Sequence, residues 1–460
     1  QHMLDVAQRL SGRVSLRERL LIHYAYADND NDPARLAIAE SLSAASREAP
    51  ESEIALGESL MMADRAAEAI LHFERAISLD SANLRGHGAS PLCWACDAEH
   101  WLLAALFALD SVDAAVRAGH TWAVEQPRSA DAWNTFAEAL TRAARNGEAS
   151  AALDSGALYE SKSDELLARA RLDLEADRYD SADALLGQLV GTGTVPNRTD
   201  AIWLQVISLR AQGRRREALS VAQGPMRWVE HALEGTAPLQ FAPIAEAQAL
   251  FELGRYREAA LVFRMLAQRP AGVARVRPHL LARQNAWWLT HLADALAAAG
   301  DTESLGALAD SIEAWGSNSG FARDQWVHRY VRALLWMARS RTDSAVAQLL
   351  ASHLVRPGGF SRANLALAKC EIRLHNPGAA ILALRPSLHS EVEGGNYYAT
   401  RTEVHEAMAQ AFDAAGQVDS AAAHYRAVIS AWAKADPELL SRVRQAKARL
   451  LYLERHETKS

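Results

Sequence analysis

"PIAEAQALFELGRYREAALVFRMLAQRP", residues 243–270, carries apolar residues at intervals of three and four on both sides of Gly254-Arg255-Tyr256. That is the pattern of two amphipathic helices joined by a tight turn. The frame returns at 403–432, "EVHEAMAQAFDAAGQVDSAAAHYRAVISAW", where Ala409 stands for Ala247, Phe412 for Leu250, Gly416 for Gly254, Ala421 for Ala259 and Tyr425 for Phe263. It returns again at 53–80, "EIALGESLMMADRAAEAILHFERAISLD", with Gly57, Leu60, Asp64, Ala69, Phe73 and Ala76 in the equivalent places. A small residue in the first helix (Gly57, Ala247, Ala409) lets the second cross closely, and the small residue early in the second helix (Ala69, Ala259, Ala421) is its counterpart. The large residue four positions later fills the space where the next unit stacks. One pair alone leaves an apolar face uncovered, so the units must lean on one another.

Weaker copies are legible at 105–127, 166–190, 201–223, 288–312 and 331–353, and strand signals are nearly absent. The tripeptide Asp-Ser-Ala recurs at 180, 343 and 419, where each second helix is expected to begin, and an Asp or Ser there suits a helix cap. Two stretches break the frame, "GTGTVPNRTD" at 191–200 and "AGVARVRPHLLARQ" at 271–284. The chain therefore divides into an N-terminal array (4–190), central repeats (201–270), a C-terminal array (285–436) and a capping helix with tail (437–460).

With 460 residues, 49% of them hydrophobic, the chain has ample material for a core. A net charge of −7 without a strongly basic region points away from a nucleic-acid surface. Arg214-Arg215-Arg216 is the densest basic spot and is expected at a solvated turn. No apolar stretch approaches the roughly 18 to 20 residues that span a bilayer, so no membrane contact is expected of this segment. No basic-then-apolar leader opens the chain either. Gln1-His2-Met3 reads as a cloning remnant, and the direct entry into helical periodicity at Leu4 reads as a piece of a longer protein. A cytoplasmic setting is expected, with an extracytoplasmic one open if an upstream segment carries an anchor.

Candidate chemistry is sparse. In "SPLCWACDAEHW", residues 90–101, Ser90 is expected to cap a helix, Pro91 to open it and Cys93 to stand third, which puts Cys93, Cys96 and His100 on one face. Haem attachment needs a histidine directly after the second cysteine, where Asp97 stands. Zinc would draw on the two thiols, His100 and His87. A redox pair is favoured by the helix amides. The plainest reading makes both cysteines small apolar fillers against Trp94 and Trp101, and Cys370 reads as buried. Sixteen histidines form no His-Glu-x-x-His pair, and no phosphate loop is present. No cofactor and no catalytic residue is expected, so the chain does not read as an enzyme. Tyr397 and Tyr398, after Gly394-Gly395, are candidates for a loop contact with a partner. Trp122, Trp133, Trp203 and Trp336 fall on apolar faces and read as core.

The helix-turn-helix frame resembles the tetratricopeptide repeat over most of the chain. That resemblance implies an all-α fold, a right-handed superhelical α-solenoid of stacked pairs, and binding of a protein or peptide on a concave face. By register, the inward positions are Glu58, Gln248, Glu252, Trp287, Thr290, Asp294, Glu403, Glu406, Gln410 and Asp413. Family members that clamp a peptide's terminal carboxylate use lysine and asparagine where this chain has Ile54 and Glu58, Ile244 and Gln248, Glu406 and Gln410. That departure favours a basic or neutral ligand. The stretches "LSGRVSLRERLLIHYAYA", "PLCWACDAEHW" and "YYATRTEVHEAMAQAFDAAGQVDSAAAHYRAVISAWAKADPEL" resemble the C-terminal regions of bacterial signalling proteins, in which such arrays follow a serine/threonine kinase or a transcriptional activator domain. The function expected is a non-catalytic scaffold or sensor module, with a redox or zinc sensor at Cys93 and Cys96 as the alternative.

Overall fold

One turn recurs from pair to pair along the chain. A residue of positive φ, at Asp64, Asp110, Ala144, Asp177, Gly213, Gly254, Gly300, Ser340, His375 and Gly416, ends each first helix. It turns the next amide back to the carbonyl five residues earlier, as from Arg65 to Leu60, Arg255 to Leu250 and Gln417 to Phe412. Glycine enters the left-handed region without strain, and it stands at only four of these turns. In four units an arginine directly after the turn forks onto a glutamate three residues on: Arg65 with Glu68, Arg145 with Glu148, Arg214 with Glu217, Arg255 with Glu258. Such exposed pairs add little stability, but they mark one recurring start for the second helix. The Asp-Ser-Ala segments are not caps. Arg178, Arg341 and Gln417 hold the cap positions, and Asp180, Asp343 and Asp419 sit in the first turn, where a carboxylate faces the positive end of the helix dipole.

The computed structural model describes residues 2–85, 92–232, 241–268, 277–355, 360–390 and 398–457. Among these every regular element is helical, with no strand. No helix in them is long and apolar enough to cross a membrane. The break at 191–200 is a short turn into the helix Val195–Ala211, which Pro196 opens. Residues 271–276 of the spacer at 271–284 lie outside the described residues, and the helix Pro278–Ala298 begins within the rest.

The helices gather into two compact units, each assembled from separated stretches: 1–159 with 268–287 and 310–328, and 160–267 with 288–309 and 329–460. In the first, Gly57 on Pro50–Met62 faces the Phe73 ring on Ala66–Leu79 so closely that an added Cβ would lie 2.4 Å from it. Phe73 is fully buried and stacks on Trp101 with ring centroids 6.2 Å apart. The segment around 320 returns to two turns of the unit: the Gly320 amide donates to the Asn31 carbonyl at 2.9 Å, and Arg323 pairs with Asp64 at the next positive-φ turn.

In the second unit the expected stacking residues are buried as the frame requires: Ala247, Ala259, Ala409 and Ala421 are fully covered, and Phe263 and Tyr425 nearly so. The helix Leu440–Glu457 lays Val443, Ala446 and Leu453 onto Tyr425, Val428 and Trp432. Contacts here also run between distant repeats. The Asp436 amide donates to the Gly213 carbonyl at 3.0 Å, and the Thr402 hydroxyl to the Ala211 carbonyl at 2.7 Å. Asp177 meets Arg401 and His405, each at 3.1 Å. The arginine run follows the Gly213 turn as expected, with Arg216 solvent-exposed, but it also joins this closure. Arg215 is buried and pairs with Glu403, while Arg216 reaches Glu438.

Helical glycine is ordinarily worth about 1 kcal/mol less than alanine, so Gly187→Ala, at an exposed site with open space around it, should raise the melting midpoint slightly. Gly57→Ala should do the reverse. The methyl drives into the Phe73 ring, and overpacking of about 1–3 kcal/mol outweighs the propensity gain. Thermal or urea unfolding of the two variants beside the parent checks the opposite signs.

Candidate functional site

Within the second unit, inner helix faces enclose a cavity of about 710 Å³. The helix Arg401–Ala414 contributes Glu403, Glu406, Ala407 and Gln410, and Ser361–Arg373 contributes Arg362, Leu365, Ala368, Lys369, Ile372 and Arg373. Both sets follow the three-and-four spacing of a single helix face. Phe251 and Glu252 end the helix Phe241–Glu252, and Tyr256 begins the one after the turn. Asp294, Tyr330, Tyr398, Ala399, Arg215 and Arg442 complete the wall.

Its carboxylates are not free. Glu252 is met by Arg210, whose Nε lies 3.0 Å away, with both side chains buried. Glu403 takes Arg215 at 3.0 Å and Arg442 at 3.9 Å. Burial alone would raise its pKa, but Arg215 and then Arg442 outweigh burial and hold it at about 2. Glu406 accepts Arg442 Nε through both oxygens, at 3.0 and 3.1 Å. Asp294 differs. Burial pushes it up to about 6, against Arg362 at 3.7 Å and the Tyr330 hydroxyl that donates to it. Arg362 also donates to the Tyr398 carbonyl at 2.7 Å and to Gln248, and it lies 3.8 Å over the Phe251 ring. Lys369 and Arg373 are exposed on the cavity wall.

Of the inward positions expected from register, Glu252, Asp294, Glu403, Glu406 and Gln410 line this one cavity. Gln248 and Thr290 are fully buried beside it and do not line it. Asp413 is held by Arg449 at 2.7 Å. Trp287 is half-buried in the first unit, where its indole donates to Asp324 at 2.7 Å. Glu58 is in the first unit too, accepting from the Tyr24 hydroxyl at 2.9 Å. Tyr398 is a cavity wall rather than a free loop contact, stacked on His291 with centroids 5.3 Å apart. Tyr397, Gly394 and Gly395 lie outside the described residues.

Apart from Arg215, which the sequence marks only as part of a basic run, the cavity's cationic residues are absent from the expected inward positions. Arg362, Lys369 and Arg373, spaced seven and four apart on one helix face, were the available signal. Because the cavity's glutamates are neutralised by arginines, they no longer argue for a basic ligand at this end.

The cysteine stretch is also rearranged. Cys93 caps the helix Trp94–Ala108, and Ser90, Pro91 and His87 lie outside the described residues. The Cys93 and Cys96 sulfurs are bonded to each other at 2.10 Å, so as they stand they are neither separate fillers nor zinc ligands. His100 is exposed, one helical turn beyond Cys96. No group of His, Cys, Asp and Glu among the described residues is placed to hold a metal ion. Cys370 is a buried free thiol. Of the tryptophans expected in the core, Trp122 and Trp203 are buried and Trp133 and Trp336 half-buried.

A comparison of the chain with models of known protein families finds no match, and a comparison with curated proteins finds none either.

The two perturbed carboxyls give opposite pH slopes. Asp294 titrates above its ordinary 3.8, so the fold favours its protonated form and loses stability as pH rises from about 4 through 6. Glu403 titrates below its ordinary 4.5, so its contribution is present above that value and is lost as pH falls towards 2. Melting midpoints across pH should show Asp294→Asn gaining on the parent between pH 4 and 6. Glu403→Gln should be less stable than the parent at pH 7, with the gap closing in acid.

Proposed function

We propose that the chain is a non-catalytic scaffold or sensor module of tetratricopeptide-like repeats, of the right-handed superhelical α-solenoid class, that binds a protein or peptide segment in the second unit's cavity. The observation that carries this reading is the convergence of Glu252, Asp294, Glu403, Glu406 and Gln410, inward by register, on one cavity of about 710 Å³. That size lies within the range of ligand sites, roughly 300–1,000 Å³. The ion pairs across the cavity fix its walls before a ligand arrives, which lowers the ordering cost of binding. By the resemblance of its sequence, the module serves a larger bacterial signalling or transcription-regulating protein in the cytoplasm.

A second reading is favoured by the Cys93–Cys96 disulfide: a thiol pair at a helix start that reports redox state. A disulfide is unusual in a reducing compartment unless it cycles.

Selection of peptides from a displayed library on the full chain tests the first reading. Peptides should be enriched whose affinity falls at least about tenfold with Ala407→Arg, which fills the cavity from its wall, while the melting midpoint stays within a few degrees. No enrichment, or binding indifferent to Ala407→Arg, overturns it.

A further inference from the structure

The first unit holds a second cavity, of about 440 Å³, with a different character. Three aromatic side chains line it, Tyr24, Trp94 and Trp101, together with the carboxylates of Glu58, Asp97 and Asp131. A fourth carboxylate there, Glu51, is already taken by Arg17. Among the described lining residues no lysine or arginine is present, and His100 is the one side chain able to carry positive charge. The second unit's cavity lines its wall with arginines against its carboxylates, whereas here Glu58 accepts from the Tyr24 hydroxyl and the Trp101 indole with Arg35 nearby, and Asp97 and Asp131 face each other and His100. Burial raises the pKa of Glu58, and burial together with neighbouring Asp131 raises that of Asp97.

We infer that this cavity binds an organic cation, an alkylammonium or guanidinium head group, seated among Tyr24, Trp94 and Trp101 and neutralised by Glu58, Asp97 and Asp131. Aromatic rings attract cations through their electron-rich faces. Carboxylates near a low-dielectric wall, with no lysine or arginine among the described lining residues, strengthen that attraction. The electroneutral apolar lining of an ordinary packing defect would lack the carboxylates, and a metal site would lack the rings. The cation arrives either free or as the side chain of a lysine or arginine in a partner peptide. This site is separate from the proposed peptide cavity of the second unit, and neither depends on the other.

Calorimetric titration of the full chain with choline, agmatine and N-acetyl-arginine amide tests the inference. Saturable binding of at least one, with Kd on the order of 1 mM or tighter, is expected. The uncharged isostere of choline, 3,3-dimethylbutan-1-ol, should bind at least about tenfold more weakly. Glu58→Gln, which keeps a partner for the Tyr24 hydroxyl, and Asp97→Asn, at an exposed position, should each weaken the cation several-fold with unchanged melting. Tighter binding of the arginine amide than of agmatine assigns the cation to a peptide, and the reverse assigns it to a free small molecule; either supports the site. No saturation by any of the three, equal binding of the neutral isostere, or indifference to both substitutions overturns it. Because the titrants are small cations, failure here leaves the library selection on the other cavity unaffected.

Discussion

Two helices cross closely only where one of them has almost no side chain at the crossing. Gly57 under the Phe73 ring is the extreme case, and the buried alanines at 247, 259, 409 and 421 meet the same requirement with a methyl group. Close crossing brings the large residue of each second helix into the seam and leaves the opposite side of each first helix facing inward. The inner faces of Arg401–Ala414 and Ser361–Arg373 form a cavity for that reason. The site is a by-product of how the helices must pack.

Electrostatics then decides what each cavity is. In the second unit, Arg215, Arg362 and Arg442 come from three separate helices and meet carboxylates that the repeat register had already turned inward. A buried carboxylate without such a partner is costly, and Asp294, only loosely met by Arg362, shows the cost as a raised pKa. No arginine or lysine is among the described residues lining the first unit's cavity, although Arg17 reaches Glu51 and Arg35 lies near Glu58 from outside it. The two cavities thus differ in whether arginine and lysine line them.

The periodicity made the helices, their turns and the close-crossing alanines legible, because each depends on residues a few positions apart. Phe73, Phe263 and Tyr425 were read correctly as buried stacking residues for the same reason. What sequence spacing could not supply was any contact between distant repeats. Glu406 and Asp413 read as free inward charges, yet Arg442 and Arg449 cover them, each 36 residues further along the chain. Arg215 is flanked by polar neighbours, yet it is buried and donates to the Glu252 carbonyl and to Glu403, 37 and 188 residues away. The cysteine pair differs in another way: spacing put both on one helix face, whereas Cys93 is the cap that precedes the helix and its sulfur is joined to that of Cys96.

The turns carry one more implication. Asp64 and Asp177 occupy left-handed positions where glycine would sit without strain, and both accept arginines from far along the chain, Arg323 and Arg401. Each aspartate is therefore held by two demands at once, a backbone angle that favours glycine and a tether that glycine cannot make. At these two positions the residue that would relax the turn is excluded by the side chain that ties it to a remote part of its unit.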